Sequence, residues 1–202
     1  MKTLKIGDLL AKVPIVQGGM GVGISLSGLA SAVANAGGVG VISTAGLGVI
    51  YNEISKNFNE ASIYGLREEL RKAREATKGI VGVNIMVALT NFADMVRTSI
   101  EEKADIIFSG AGLPMDLPKL FQETCEASKK EFNTKLVPIV SSGRAATLIA
   151  KKWAAKTGLL PDAFVLEGPK AGGHLGFSKE NIFDEAFSLE KLVSGVVDAA
   201  KA

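Results

Sequence analysis

The stretch "IVGVNIM", Ile80 to Met86, carries one polar side chain in seven, that of Asn84. Its apolar residues do not alternate with polar ones, and Val and Ile dominate. A strand with one wet face alternates, whereas a strand covered on both faces does not, so this segment predicts an inner strand of a parallel sheet with helices packed over it. Five further runs have the same character: "PIVQGGM" from Pro14, "GVGVIST" from Gly38, "ADIIFSG" from Ala104, "LVPIVSS" from Leu136 and "AFVLEGP" from Ala163. Between and after them lie patterns of helical period, such as "LSGLASAVANAGG", which ends in a Gly37–Gly38 stop signal, "NFADMVRTSIEEK", "LPKLFQETCEASKKEF", "SGRAATLIAKKWAAKTG" and "LEKLVSGVVDAAKA". Strand then helix, six times over, is an α/β fold.

The strand starts are spaced roughly 30 residues apart, the unit size of a (β/α)8 barrel, in which about 250 residues carry eight units. A doubly wound sheet has similar spacing. The strand ends add more. Gln17, Gly18 and Gly19; Ser43 and Thr44; Asn84; Ser109 and Gly110; Ser141, Ser142 and Gly143; Glu167 and Gly168 close the six runs with small or polar groups. Parallel strands bring all such ends to one side, which in a barrel is the side that binds ligands. Six units where a barrel needs eight allow an open sheet, a fragment, or a six-unit partial barrel that a partner closes. Its end strands would leave unpaired edges, which invite association, so a homo-oligomer is an expected partner state.

Composition excludes several classes. With 23 basic against 21 acidic residues and a net charge of +2, there is no basic face for nucleic acid. The densest charge run, "REELRKAR" (Arg67 to Arg74), alternates in sign and reads as a solvated helix face. The single cysteine, Cys125, cannot form an internal disulfide and fits a reducing, cytoplasmic compartment. Charges interrupt the first 16 residues where a signal peptide needs an apolar core, and no run is long enough to span a membrane.

Chemistry-bearing residues are few. "GGMGVG", Gly18 to Gly23, has the wrong glycine spacing for a dinucleotide fingerprint, yet a bare strand end leading to a helix lets backbone N–H groups approach a flat or anionic ligand. Asn84 must either satisfy its amide on neighbouring backbone or offer paired donor and acceptor to a heterocycle. Ser109 stands at the next strand end as a candidate substrate contact. His174, the only histidine, lies in "EGPKAGGHLGF" beside Gly172 and Gly173, where a planar ligand can reach the backbone and an imidazole can move a proton near neutral pH. One histidine and one distant cysteine do not make an ordinary zinc site, so no metal is expected.

Taken together and in order, "PIVQGGMGVG", "ANAGGVGVIS", "GVNIM", "FSGAGLP" and "EGPKAGGHLGF" resemble the nitronate monooxygenase (2-nitropropane dioxygenase) family, which includes the FabK-type enoyl-acyl-carrier-protein reductases. The resemblance implies an α/β fold of the TIM (β/α)8 barrel type that binds FMN, of which this chain supplies about six units, residues 1–202 forming a single partial barrel domain. It implies flavin contacts at Gly19, Met20, Asn84, Glu167 and Gly172, and a catalytic His174. Two activities follow from it: oxidative denitrification of alkyl nitronates with O2, or NAD(P)H-dependent reduction of an enoyl thioester. Glu167 stands where many nitronate monooxygenases carry glutamine and leans toward the reductases, and Lys170 replaces a frequent glutamate. The family's glycine-rich phosphate-binding turns do not occur among these residues, which raises a third expectation, a catalytically silent partial barrel.

Overall fold

The computed structural model describes residues 2–201. It begins with a hairpin of two short strands, β1 (Leu4–Ile6) and β2 (Leu9–Ala11), turned at Gly7, whose φ of 58° is costly for any other residue. The main sheet contains β3 (Val39–Ser43), β4 (Ile80–Met86), β5 (Ile106–Gly110), β6 (Lys135–Val140) and β7 (Val165–Leu166). All pair in parallel, and neighbours in the sheet are neighbours along the chain. Helix α1 (Ser27–Asn35) precedes β3, while α2 (Leu47–Ile50) and α3 (Phe58–Ala76) lead from β3 to β4. Helices α4 (Phe92–Glu101), α5 (Leu117–Ser128) and α6 (Gly143–Thr157) occupy the next three connections, and α7 (Leu189–Lys201) follows β7. A doubly wound sheet reverses its order at a switch point. This one never does, which is the order of a barrel wall.

Alternation along each strand divides the side chains between two buried clusters. Ile42, Val81, Val83, Ile85, Ile107, Leu136 and Val140 point outward and join residues of the helices, among them Leu66, Met95, Leu117 and Trp153. Val39, Val41, Ile106, Phe108 and Val137 point the other way and form a second cluster with Ile6 and Ala11 of the hairpin. The unbroken apolar runs follow from this, since neither face meets water. The sheet curls into a half-barrel, and the hairpin fills its concave side. Gly82 leaves the room that Phe108 takes: a Cβ on Gly82 would stand 2.8 Å from the Phe108 ring. Asp8 ties the hairpin down at the amino-terminal ends of the strands, 2.7 Å from Lys135 Nζ and accepting a 2.9 Å hydrogen bond from Asn133. The hydrogen bond from Lys135, helped by that from Asn133, lowers the Asp8 carboxyl to about 2.

Three expectations change. "PIVQGGM" is not a regular strand: it makes one parallel bridge, Val16 to Val39. Pro14 has no N–H to donate, and beyond the bridge the Gln17 side chain replaces backbone pairing. Its amide donates to Val41 O at 2.9 Å and accepts from Val41 N at 3.3 Å. The six expected strands are therefore five and a bridged segment, the last strand being only two residues long. Nor is "REELRKAR" merely solvated: Arg67 reaches Glu101 at 2.8 Å, Arg71 holds Glu102 with two nitrogens, and Arg74 reaches Asp105 at 2.8 Å, stitching α3 to the end of α4. The Gly37–Gly38 stop is as expected. Gly38 N donates to Val33 O and Gly37 N to Ala34 O, with φ of 91° at Gly37.

The concave cluster makes a prediction. Phe108→Ala should destabilise the fold by about 3–5 kcal/mol, lowering the unfolding temperature by roughly 10 °C, whereas Phe183→Ala, at a side chain 88% exposed, should leave it unchanged. Equal effects in calorimetry would contradict a packed concave face.

Candidate functional site

The carboxyl ends of the strands all open on the side opposite the hairpin. Here the Gly18–Ser25 loop lies across the ends of β3 and β4. Ser25, fully buried, holds it: the hydroxyl accepts from Gln17 Nε2 at 2.9 Å and Met20 N at 3.0 Å, and donates to Gly18 O at 2.9 Å. Gly19 is thereby pressed onto Asn84, where an added Cβ would stand 2.3 Å from Asn84 Cβ and 2.9 Å from its Oδ1. Gly21 packs the same way on Ala45, and Gly46 on Val22. Met20 is left 45% exposed at the mouth.

Asn84 stands on the concave face of β4, since Val83 and Ile85 take the helix side. Its backbone oxygen accepts from Thr44 N and Oγ1, both at 3.1 Å. Its amide is half-buried and still open to solvent at the strand end. A half-buried amide can satisfy itself on water, and at this position its donor and acceptor are also within reach of a ligand at the mouth.

A cavity of 270 Å³ opens on the same rim, at the ends of β5, β6 and β7. Glu167, His174, Ser141, Ala145 and Gly112 are among its walls. A Cβ on Gly112 would stand 3.1 Å from the Val87 side chain just past β4, and Val87 N donates to Gly110 O at 2.8 Å. Glu167 follows Val165 on the concave side and is half-buried. Burial raises its carboxyl above the usual range, partly offset by the Gly176 N–H. His174 is exposed on its outer side while lining the cavity on its inner side. Gly172 and Gly173 have open space where a Cβ would stand, and Gly173 has φ of 86°.

Gly19, Met20 and Asn84 are therefore together, Glu167 and His174 are together, and Gly172 lies on the loop between these last two. Ser109 is placed otherwise. It is fully buried on the helix side of β5, sharing the face of Ile107, and does not reach the cavity. At a strand end, the side of the sheet depends on a single residue of register, which a polar residue alone does not reveal. The α1 N-terminus is not an anion site either, because the Glu69 carboxylate already accepts from Ser27 N at 2.6 Å. Ser25 and Glu69 carry no motif and are visible only in the structure. Among the described residues no helix is long and apolar enough to cross a membrane.

The nitronate monooxygenase family model matches residues 2–200. The chain belongs to the nitronate monooxygenase family. FabK from Thermotoga maritima is 29% identical, with a TM-score of 0.66 over 92% of this chain and 47% of that one. A mutant of the same FabK gives 28% and 0.68 over 94% and 50%. A nitroalkane oxidase from Streptomyces ansochromogenes shares the fold at a TM-score of 0.67 and 19% identity, over 93% of this chain and 56% of that one. Among curated proteins, a (3aS,4S,5R,7aS)-5-hydroxy-7a-methyl-1-oxo-octahydro-1H-indene-4-carboxyl-CoA dehydrogenase from Mycobacterium tuberculosis is 28% identical over 163 residues, 81% of this chain and 38% of its own length. The chain thus spans about half, or less, of the first two solved structures and of this curated relative. Its curled parallel sheet corresponds to the barrel wall of the solved structures.

Glu167 provides a pH test. Its raised folded value means that the stability it contributes is present at low pH and is lost as pH rises through that value. Glu167→Gln removes the penalty, so the variant's unfolding temperature should match wild type near pH 4 and exceed it at pH 7, by a small margin because the side chain is partly solvated. An unfolding-temperature difference that does not change with pH would contradict the half-buried placement.

Proposed function

We propose that residues 1–202 form one partial barrel domain supplying the ring-binding side of an FMN-dependent oxidoreductase, and that its substrate is an alkyl nitronate denitrified with O2. The observation that carries this is the Gly19–Asn84 contact: bare backbone against a half-buried amide, on the same rim as the cavity of Glu167 and His174. Gly19 and Asn84 fit one edge of a planar heterocycle, Met20 offers an apolar surface to its plane, and Gly172 gives room at the far side. When bound, FMN supplies an electron acceptor that can pass electrons on to O2. The glycine-rich turns that would cradle its phosphate are not among this chain's motifs.

The chain's own residues divide the remaining work. The cavity walls from Ala111 to Leu113 and at Ile139 are small or apolar, and they exclude water from a small substrate. His174, at the cavity edge, holds and returns the proton of the substrate carbon or oxygen through an imidazole nitrogen. Glu167, whose carboxyl is raised above its ordinary value by burial, lines the same cavity and offers a hydrogen-bonding group to the substrate. A lone cysteine fits a reducing, cytoplasmic setting, and the exposed apolar residues Ile15 and Val16 at the sheet edge fit a homo-oligomer.

A second reading, reduction of an enoyl thioester by NAD(P)H, is favoured by Glu167 and by the likeness to FabK. Purified chain mixed with FMN should retain visible flavin absorbance on gel filtration. A protein that stays colourless would leave the silent partial barrel. With flavin bound, bleaching by a nitronate but not by NADH supports the first reading, and rapid bleaching by NADH supports the second. His174→Ala should keep the flavin and lose about 10²–10⁴-fold in turnover, and unchanged turnover would remove the imidazole from the chemistry.

A further inference from the structure

The most deeply buried carboxylate among the described residues takes no part in the proposed chemistry. Glu69 lies midway along α3 and is 4% exposed. Helix α1 begins at Leu26 without any side-chain cap and without an acidic residue in its first turn. Glu69 Oε2 supplies what is missing, accepting from Ser27 N at 2.6 Å. Its other oxygen, Oε1, accepts from Tyr51 Oη at 2.5 Å, at the end of α2. The contact is prepared by Gly65, where a Cβ would stand 2.4 Å from the Tyr51 ring, and Lys72 Nζ lies 3.7 Å from Oε1.

Each of these two bonds ends on one flank of the candidate site. Ser27 is two residues from Ser25, which fixes the loop carrying Gly19 and Met20. Tyr51 closes α2, which starts after Gly46, and Ala45 and Gly46 are the residues on which Gly21 and Val22 of that loop rest. One buried carboxylate therefore holds both ends of the support under Gly18–Ser25.

We propose that Glu69 is a positioning residue that sets the Gly18–Ser25 loop against Asn84, and through it the affinity for the flavin ring. The second half of this rests on the proposed function; the first half does not. In hydrogen–deuterium exchange, Glu69→Ala should speed the amides of Met20 and Ser25 while leaving those of β4 and β5 unchanged, and should weaken FMN binding about tenfold, as expected for a lost charge-assisted bond. Glu69→Gln, which keeps an acceptor for Ser27 N, should restore exchange and bring binding to within about threefold of wild type. Tyr51→Phe cuts one bond only and should give an intermediate effect, which serves if Glu69→Ala does not fold. Unchanged exchange in the loop, uniform acceleration over the strands, or no rescue by glutamine would overturn the proposal. If no form of the chain takes up FMN, the exchange pattern still decides the role of Glu69, and it is the flavin reading that fails.

Discussion

Five strands pair in parallel in the order in which they leave the chain, and everything else in the molecule answers to that constraint. Sequential parallel order sends every carboxyl end to one side and requires a helix to return each connection over the same outer face. The outer face is thus dry under the helices. The inner face has no second layer of helices and must be filled in another way. Curling the wall around Val39, Val41, Ile106, Phe108 and Val137, with Ile6 and Ala11 of the hairpin added, does this.

The two ends of the half-barrel then diverge. At the amino-terminal ends, the hairpin and the Asp8–Lys135 pair close the interior. At the carboxyl ends nothing comparable among the described residues closes it: the residues there are glycines, the half-buried amide of Asn84, and the groups around the cavity. The Gly18–Ser25 loop covers part of this opening. It is held from within by Ser25 and from behind by Gln17, with backbone rather than side chains on its inner surface at Gly19. Backbone there costs conformational freedom in the unfolded chain and gives close approach in the folded one. That close approach is taken up by the Asn84 side chain.

Much of this was legible in the residues. Val and Ile runs without alternation gave the doubly covered strands, and Gly37–Gly38 marked a helix end that forms with the hydrogen bonds such a pair makes. Asn84 drew attention because an amide inside an apolar strand must have a reason. What stayed hidden had no local signature. The β1–β2 hairpin is six strand residues in a charged, unremarkable segment, and its stability comes from docking on β6. The Gln17 side chain takes over the ladder from its own backbone, which no periodicity reveals. Ser109 looks like a rim residue by position, but strand alternation turns it to the helices. Glu69 belongs by pattern to a charged helix face, and only the tertiary placement of Ser27 and Tyr51 makes it a cap.

The central claim is that the carboxyl ends of β4 and β7 face one flat ligand, with Asn84 and His174 on either side of it. The most direct test follows the side-chain amide of Asn84 and the ring of His174 by nitrogen NMR as FMN is added to labelled protein. Both signals should shift together and saturate at the same FMN concentration, while the Gln122 amide, bonded to Thr157 O far from the rim, stays in place. An Asn84 signal that does not respond while FMN binds, or a His174 signal that shifts without it, would contradict a shared site.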